Sequence, residues 1–197
     1  MQWHIERHGT VSSTMEIAAR HATRGAPAGL VIVAEEQTTG RGRLGRVWLA
    51  PPRTSLLFTA LFRPSLEAAR SGELSRLIAR QAGDAIAEVT GVRPKVKDPN
   101  DLLIEGKKIA GILCQTSIRG DQLDYLLVGI GLNVNIPPDQ IPFPTATSLL
   151  AVTGATQDRE RLLATILARL EQLPELADAS EENHLGRSEQ RPYQNPL

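Results

Sequence analysis

The stretch LLIEGKKIAGILCQT, residues 102–116, determines the type of β-sheet that this chain forms. Two apolar runs flank the dipeptide Glu105-Gly106, a pattern that predicts a β-hairpin with a tight turn. A second turn at Gly120-Asp121 leads into a further apolar run at residues 123–130. Because strands joined by short turns lie antiparallel, the centre of the sequence predicts antiparallel pairing.

The segments on both sides of this hairpin alternate between strand and helix patterns. Apolar residues recur at helical spacing in residues 74–90, and β-branched residues crowd residues 30–34. The predicted fold class is therefore α+β, with a mixed, largely antiparallel sheet and helices packed against it. The other predicted elements are an edge strand at 3–8, a helix at 14–24, strands at 55–62 and 92–97, and an amphipathic helix around 162–170.

The composition is typical of one folded globular domain. The chain has 197 residues, of which 41% are hydrophobic and 22% charged, and this argues against global disorder. Lys and Arg number 22, as do Asp and Glu, so the basic excess of proteins that bind duplex nucleic acid is missing. We expect a domain at residues 1–175 and a polar, loose tail at 176–197.

Several kinds of site are disfavoured by the sequence. Cys114 is the single cysteine, so neither an internal disulfide nor a thiolate zinc site is expected, and its apolar surroundings predict a buried small hydrophobe rather than a nucleophile. The four histidines show no metal-ligand spacing. No apolar run reaches the roughly 20 residues of a membrane span, and the N-terminus lacks a signal-peptide core, so the cytoplasm is the expected location.

The segment GRGRLGRVW, residues 40–48, carries three glycines and three arginines within seven residues. Glycine lets a backbone approach a ligand closely, and guanidinium groups suit carboxylates and phosphates. The segment has neither the spacing of a P-loop nor the helix that follows a dinucleotide fingerprint. It predicts a loop that folds over an anion, and the alternatives are a flexible basic loop or an RNA-contacting patch. We call residues 40–48 the glycine–arginine loop.

Two further segments carry residues suited to nucleotide chemistry. Pro99-Asn100-Asp101 is either an ordinary turn or a source of oxygen ligands for a nucleotide's Mg²⁺. Lys108 follows in a strand, either as an exposed lysine or as a fixed charge beside reacting anions, and alternation places it on the same face as Ala110. In Gly129-Ile130-Gly131-Leu132-Asn133 the glycines indicate either a ligand close to the strand or a bulge.

These segments together resemble the biotin protein ligases. The glycine–arginine loop resembles the signature loop of that family, residues 97–113 its second motif and residues 129–133 its third. Ser13-Thr14 matches the Ser-Thr pair before the family's first helix, although Ser13 and Glu16 also fit a helix capping box. The agreement covers residues 5–170, and it implies a fold shared with lipoate ligases and akin to class II aminoacyl-tRNA synthetase cores.

The resemblance implies a role for each matching residue. Lys108 and Arg43 are the predicted catalytic residues, and Asp101 is the predicted ligand of ATP-bound Mg²⁺. The residues expected to contact biotin or its adenylate are Ser13, Thr14, Met15, Gln37, Gly40, Arg41, Gly42, Arg43, Lys108, Gly111 and Gly129. The residues expected to bind ATP are Arg46, Trp48, Asn100, Asp101 and Asn133.

The implied activity has two steps. Biotin and MgATP form biotinyl-5′-AMP, and the biotinyl group then passes to a lysine of a biotin carboxyl carrier protein or domain. Biotin, ATP and the carrier are therefore the expected partners, with no DNA and no membrane, while a homodimer is left open. A helix-turn-helix segment before residue 1 and the small C-terminal β-domain of many relatives are not expected.

Two residues depart from the family pattern, and two alternative functions follow. Asp98 stands where the family usually has tryptophan, and we expect it to face away from Lys97 and to be partly solvated. Met15 stands where the family often has asparagine. The alternatives are an inactive or weak biotin-binding relative and a lipoate or octanoate ligase on the same fold. An RNA-binding module is disfavoured because aromatic residues make up only 4% of the chain.

Overall fold

The computed structural model describes residues 1–68 and 73–178. The strands in this part of the chain are β1 (His4–Val11), β2 (Leu30–Gln37), β3 (Ser55–Phe62), β4 (Lys95–Lys97), β5 (Asp101–Ile104), β6 (Lys107–Arg119) and β7 (Gln122–Asn133). The α-helices in the same residues are α1 (Thr14–Thr23), α2 (Leu74–Thr90), α3 (Leu149–Thr153) and α4 (Arg159–Glu171).

The seven strands form one sheet in the order β1-β2-β3-β7-β6-β5-β4. Only β1 and β2 pair in parallel among these neighbours, so the predicted mixed, largely antiparallel sheet is confirmed. The predicted edge position of the first strand is also confirmed. Between β5 and β6, Glu105 and Gly106 both have positive φ angles, 50° and 78°, as a two-residue hairpin turn that matches the strand twist requires.

Helices cover the two faces of the sheet unequally. Along β3, Phe58 and Phe62 share one apolar core with residues of α2 and α4, and we call this side of the sheet the packed face. Leu61 belongs to a smaller cluster that includes α1, and we call this side the cavity face. All residues of β3 are buried, because β3 lies between two strands and beneath helices on both sides.

Several predicted element bounds differ from the structure. Residues 92–97 form a strand only at Lys95–Lys97, because Pro94 has no N–H for a ladder and the N–H of Val92 donates to Thr90 Oγ1 instead. The strands β2, β6 and β7 extend beyond the apolar runs that predicted them, and α3 was not predicted. The helices α1 and α2 and the strand β3 agree closely with the prediction.

The predicted capping box at Ser13 and Glu16 is wrong. Ser13 is the extended residue before α1, but its side chain makes no capping hydrogen bond. Glu16 instead accepts a hydrogen bond from the Ser12 hydroxyl at 2.7 Å. The free amide of Thr14 in the first helical turn donates to Gln37 Oε1 at 2.8 Å, so a distant residue satisfies this end of the helix.

No helix in the described residues combines the length and the apolar character that crossing a membrane requires. The predicted loose tail at 176–197 falls outside the described residues from position 179 onward.

Candidate active site

A cavity of about 310 Å³ opens on the cavity face, beside α1 and below the glycine–arginine loop. A volume of this size lies at the lower end of the usual range for small-molecule sites. Fourteen of the predicted residues line it: Ser13, Thr14, Met15, Gln37, Arg41, Gly42, Arg43, Arg46, Trp48, Asn100, Asp101, Lys108, Gly111 and Gly129. The structure therefore brings together side chains from segments that are far apart in the sequence.

Glycines of β6 and β7 form the floor of the cavity. A Cβ atom on Gly131 would lie 2.6 Å from the Trp48 ring, and one on Gly129 would lie 2.7 Å from Met15 Cε. A Cβ on Gly111 would also meet Trp48, at 3.2 Å. These strand glycines thus mark close approach, but in this structure the approaching groups are the protein's own side chains.

One end of the cavity is polar and buried. Thr14 donates to Gln37 Oε1 from its backbone N–H and from its hydroxyl, at 2.8 and 3.1 Å. The Thr14 and Thr59 hydroxyls lie 2.9 Å apart. Ser13 lies beside them and is also buried. We call Ser13, Thr14, Gln37 and Thr59 the polar end of the cavity.

Thr59 is the residue of the polar end that was not predicted from the sequence. It lies in the run SLLFTALF of β3 and is fully buried. Threonine is common in buried β-strands, so the presence of this residue type did not indicate a binding site. Only the pairing of β3 with β2 and β7 brings its hydroxyl to the cavity.

A charged pair forms the opposite wall. Lys108 Nζ lies 2.6 Å from Asp101 Oδ1 and 5.6 Å from the centre of the Trp48 ring. The prediction that Lys108 shares a face with Ala110 is wrong, because Ala110 and Ile109 both belong to the packed-face core. A register shift in the β5–β6 pairing interrupts the alternation and lets Lys108 reach the cavity.

The two predicted asparagines have different positions. Asn100 lines the cavity, and its side-chain amide donates to the carbonyl of Ile112 at 2.7 Å, which fixes the turn before β5 against β6. Asn133 is not among the cavity-lining residues. It is buried, donates to the Thr147 carbonyl at 3.0 Å and leaves its Oδ1 atom without a hydrogen-bond partner.

The glycine–arginine loop is a compact hairpin rather than an extended segment. Trp48 N–H donates to the Gly40 carbonyl at 2.9 Å, and Gly42 N–H donates to the Arg46 carbonyl at 2.7 Å. Gly40 is buried and is not among the cavity-lining residues. A Cβ atom there would lie 2.6 Å from the Trp48 carbonyl oxygen, so the two ends of the loop meet closely at Gly40. Gly40 supports the loop in this structure, and its predicted contact with biotin or its adenylate stays a prediction.

The arginines of this loop are exposed, and they place positive charge at the mouth of the cavity. Arg41 forms an ion pair with Glu16 of α1. Arg43 and Arg46 are exposed and line the cavity. Leu44 at the tip has a φ of 57° and is 85% exposed, so the tip of the loop lies in solvent.

Asp98 is solvated, as expected, and forms an ion pair with Arg76 at 2.9 Å. Its side chain is 61% exposed. Lys97 and Asp98 both border the cavity, and the expected placement of the Asp98 side chain on the side away from Lys97 stays a prediction. Burial raises the pKa of the Cys114 thiol, partly offset by a hydrogen bond with Ser75, so Cys114 is a protonated residue packed against the core.

The family model of the Biotin/lipoate A/B protein ligase family matches residues 9–133. The chain belongs to this family. The resemblance to the biotin ligases that was inferred from the motifs is thereby confirmed. The matched residues include the first helix, the glycine–arginine loop and the glycines of β7.

Relatives within the family carry names of biotin ligases. The chain is 35% identical over 170 residues to the bifunctional ligase/repressor BirA of Bacillus subtilis, covering 85% of this chain and 52% of that protein. It is 35% identical over 166 residues to the biotin–[acetyl-CoA-carboxylase] ligase of Mycobacterium tuberculosis, covering 82% and 60%. The chain thus spans little more than half the length of these curated relatives.

A solved structure gives the same result for the fold. The biotin protein ligase from Aquifex aeolicus, in complex with biotin and ATP, superposes with a TM-score of 0.71 at 34% identity. The superposition covers 85% of this chain and 68% of that one. The α+β fold predicted from the hairpin pattern is therefore that of a biotin protein ligase.

Proposed function

We propose that this protein is an ATP-dependent biotin protein ligase that forms biotinyl-5′-AMP from biotin and MgATP and then transfers biotin to a lysine of a carrier protein. The single observation that carries this proposal is the cavity itself. The cavity has a buried polar end, an opposite wall that carries the charge of Lys108, and a mouth lined by exposed arginines. A substrate with a polar ring at one end and a carboxylate at the other fits this order.

The polar end favours biotin over lipoate or octanoate. Biotin's ring system is a cyclic urea, which has N–H donors and a carbonyl acceptor. The dithiolane of lipoate and the tail of octanoate have no N–H donor or carbonyl, so they would leave the Ser13 hydroxyl and the Gln37 amide nitrogen without a partner from the ligand. Leaving such groups unpaired costs about 1–3 kcal/mol each.

Lys108 is proposed to serve the first step. A carboxylate oxygen of biotin attacks the α-phosphorus of ATP, a new O–P bond forms, and the bond to pyrophosphate breaks. Both reactants are anions, so a fixed positive charge at their meeting point stabilises the transition state. Asp101 and the Trp48 ring hold Lys108 Nζ in place before any substrate arrives. Arg43 is proposed to add charge from the loop.

The adenine site is proposed to lie past Gly131 along β7. Trp48 Nε1 and Asn133 Oδ1 are buried and have no hydrogen-bond partner within the described residues. The first is a donor and the second an acceptor, and adenine offers ring-nitrogen acceptors together with an amino donor. This pattern supports Trp48 and Asn133 as ATP-binding residues, although Asn133 is not among the cavity-lining residues.

Magnesium is proposed to arrive with ATP rather than to reside in the protein. The described residues contain no group of three or more His, Cys, Asp or Glu side chains arranged to hold a metal. Mg²⁺ bound to a nucleotide needs only one or two carboxylates besides the phosphates. Asp101 would provide one through the oxygen that does not pair with Lys108, and the ion would neutralise phosphate charge.

The second step is proposed to use an acceptor lysine from a biotin carboxyl carrier protein or domain. Its neutral ε-amine attacks the acyl carbon of biotinyl-5′-AMP, an amide bond forms, AMP leaves and the amine releases a proton. The absence of a DNA partner, the homodimer, the domain bounds and the cytoplasmic location stay predictions.

The experiment that tests the proposal is biotin-dependent exchange of labelled pyrophosphate into ATP with purified protein and Mg²⁺. Exchange is expected to require biotin and to fall at least about 100-fold in Arg43→Ala and Lys108→Ala, since each removes charge that acts on the transition state. The exposed Arg119→Ala is the matched control and is expected to keep wild-type exchange. Biotin binding without exchange would support the inactive relative instead, and exchange driven by lipoate would support the other ligase.

A further inference from the structure

We propose that Thr59 is a specificity-determining residue of the polar end, whose hydroxyl oxygen accepts a hydrogen bond from an N–H of the substrate's head group. This inference rests on the proposed function and deepens it, because it explains why the head group is a cyclic urea. It concerns a residue of β3 that none of the sequence motifs contains.

The backbone N–H of Thr14 can only donate a hydrogen bond. The backbone N–H of Thr14 donates to the side chain of Gln37 at 2.8 Å, so the atom that it meets has to be the oxygen Oε1. The amide nitrogen of Gln37 therefore points elsewhere. A Cβ atom on Gly40 would lie 3.4 Å from this nitrogen, which places it on the side of the glycine–arginine loop.

The position of Gln37 Oε1 determines where the hydroxyl hydrogens of Thr14 and Thr59 point. An amide oxygen only accepts, so the Thr14 hydroxyl gives its single hydrogen to Gln37 Oε1 at 3.1 Å. The Thr59 hydroxyl, at 2.9 Å, then has to be the donor to Thr14. Its hydrogen is used, and what Thr59 has left for a ligand is a lone pair.

The polar end thus offers a fixed pair of complementary groups. Gln37 Nε2 offers N–H donors, and Thr59 Oγ1 offers an acceptor. Thr59 borders the cavity, and Gly129 on the neighbouring strand puts no side chain between Thr59 Oγ1 and a ligand, where a Cβ atom would be in contact with that oxygen at 3.5 Å. A head group with an acceptor next to a donor, as in a cyclic urea or a lactam, satisfies both groups at once.

The test compares Thr59→Val, which keeps the shape but removes the hydroxyl, with Thr59→Ser, which keeps the hydroxyl. Affinity for biotin and for desthiobiotin is measured by calorimetry without ATP, and KM and kcat are measured by pyrophosphate exchange. Thr153→Val is the matched control, because Thr153 also has a hydrogen-bonded hydroxyl but lies in α3, outside the cavity lining.

Thr59→Val is expected to weaken both acids about 10- to 100-fold, the effect of losing one buried hydrogen bond. KM for biotin is expected to rise by the same factor, with KM for ATP and kcat unchanged. Thr59→Ser is expected to stay within about threefold of wild type. Desthiobiotin lacks the sulfur but keeps the urea, so it is expected to show the same loss as biotin.

Wild-type affinity in folded Thr59→Val, checked by circular dichroism, would overturn the inference and leave the proposed function standing. A loss in Thr59→Ser as large as that in Thr59→Val would show that the methyl group matters instead of the hydroxyl. A loss for biotin that is absent for desthiobiotin would assign Thr59 to the sulfur. Failure of wild-type protein to bind biotin would instead overturn the proposed function itself.

Discussion

The packed face and the cavity face of the sheet use the same strands for different purposes. On the packed face, apolar side chains of β3 and β7 meet α2 and α4 and form a continuous core. On the cavity face, α1 covers a smaller cluster, and beyond it the strands carry Gly129 and Gly131 in place of large side chains. The packed face therefore stabilises the fold, while the cavity face has fewer packed side chains and leaves space for ligands.

The strongest way to break this comparison is Phe62→Ala on the packed face. Phe62 is fully buried and meets Trp3 edge-to-face with ring centres 5.7 Å apart. Its removal is expected to lower the free energy of unfolding by about 3–5 kcal/mol, through lost burial and a new void. Urea unfolding measures the loss, and exchange kinetics on folded protein are expected to keep the wild-type KM for biotin. A raised KM would mean that the faces are not independent.

A sharper comparison makes one substitution on each face. In Gly131→Ala the new methyl group would lie 2.6 Å from the Trp48 ring, so the ring has to move away from β7. We expect KM for ATP to rise about 10-fold, a loss of binding free energy near 1.4 kcal/mol. The loss of stability is expected to be smaller than in Phe62→Ala, because Trp48 lies outside the packed-face core. The shift of Trp48 is measured by fluorescence in a Trp3→Phe background.

Gly83→Ala is the matched variant on the packed face. Gly83 lies in α2, and its new methyl group would meet Leu102 Cδ2 at an ordinary 3.7 Å. Replacing a helical glycine is expected to raise stability by about 0.5–1 kcal/mol and to leave both KM values unchanged. Equal kinetic effects of the two substitutions would show that the glycines of β7 have no special part in the site.

The smallest expected effect concerns the titration of Cys114, which packs against the packed-face core. Burial raises the thiol's pKa, so the folded protein holds this proton after the unfolded chain has lost it. The free energy of unfolding is therefore unaffected by this group below the ordinary thiol pKa of about 8.5. It falls as pH rises above that value, by at most about 1.4 kcal/mol per pH unit. Urea unfolding of wild type and Cys114→Ala between pH 8 and 10 measures the difference. The same slope of the free energy of unfolding against pH in both proteins would contradict this prediction.

Much of the fold was predictable, because hairpin turns and apolar periodicity are local properties. The strand β3 and the helix α2 agree with their predicted bounds. The predictions failed where a tertiary partner outweighed a local pattern. Gln37 replaced Ser13 as the partner of the first helical turn. A register shift between β5 and β6 turned Lys108 away from the face of Ala110.

The candidate site was predictable to the extent that its residues occur in motifs. The glycine–arginine loop and Lys108 were found in this way, and both border the cavity. Thr59 was missed because it lies in an apolar run with no motif around it. Asn133 matched a motif but is not among the cavity-lining residues.

By itself the sequence determined the class of fold and the family, because turn residues, periodicity and the glycine–arginine motif are patterns over a few neighbouring positions. Only the tertiary structure decided which polar atoms face one another. The hydrogen bonds among Thr14, Gln37 and Thr59 join three separate elements. The direction of each bond depends on distances that strand pairing and helix packing set, and no local pattern in the sequence encodes them.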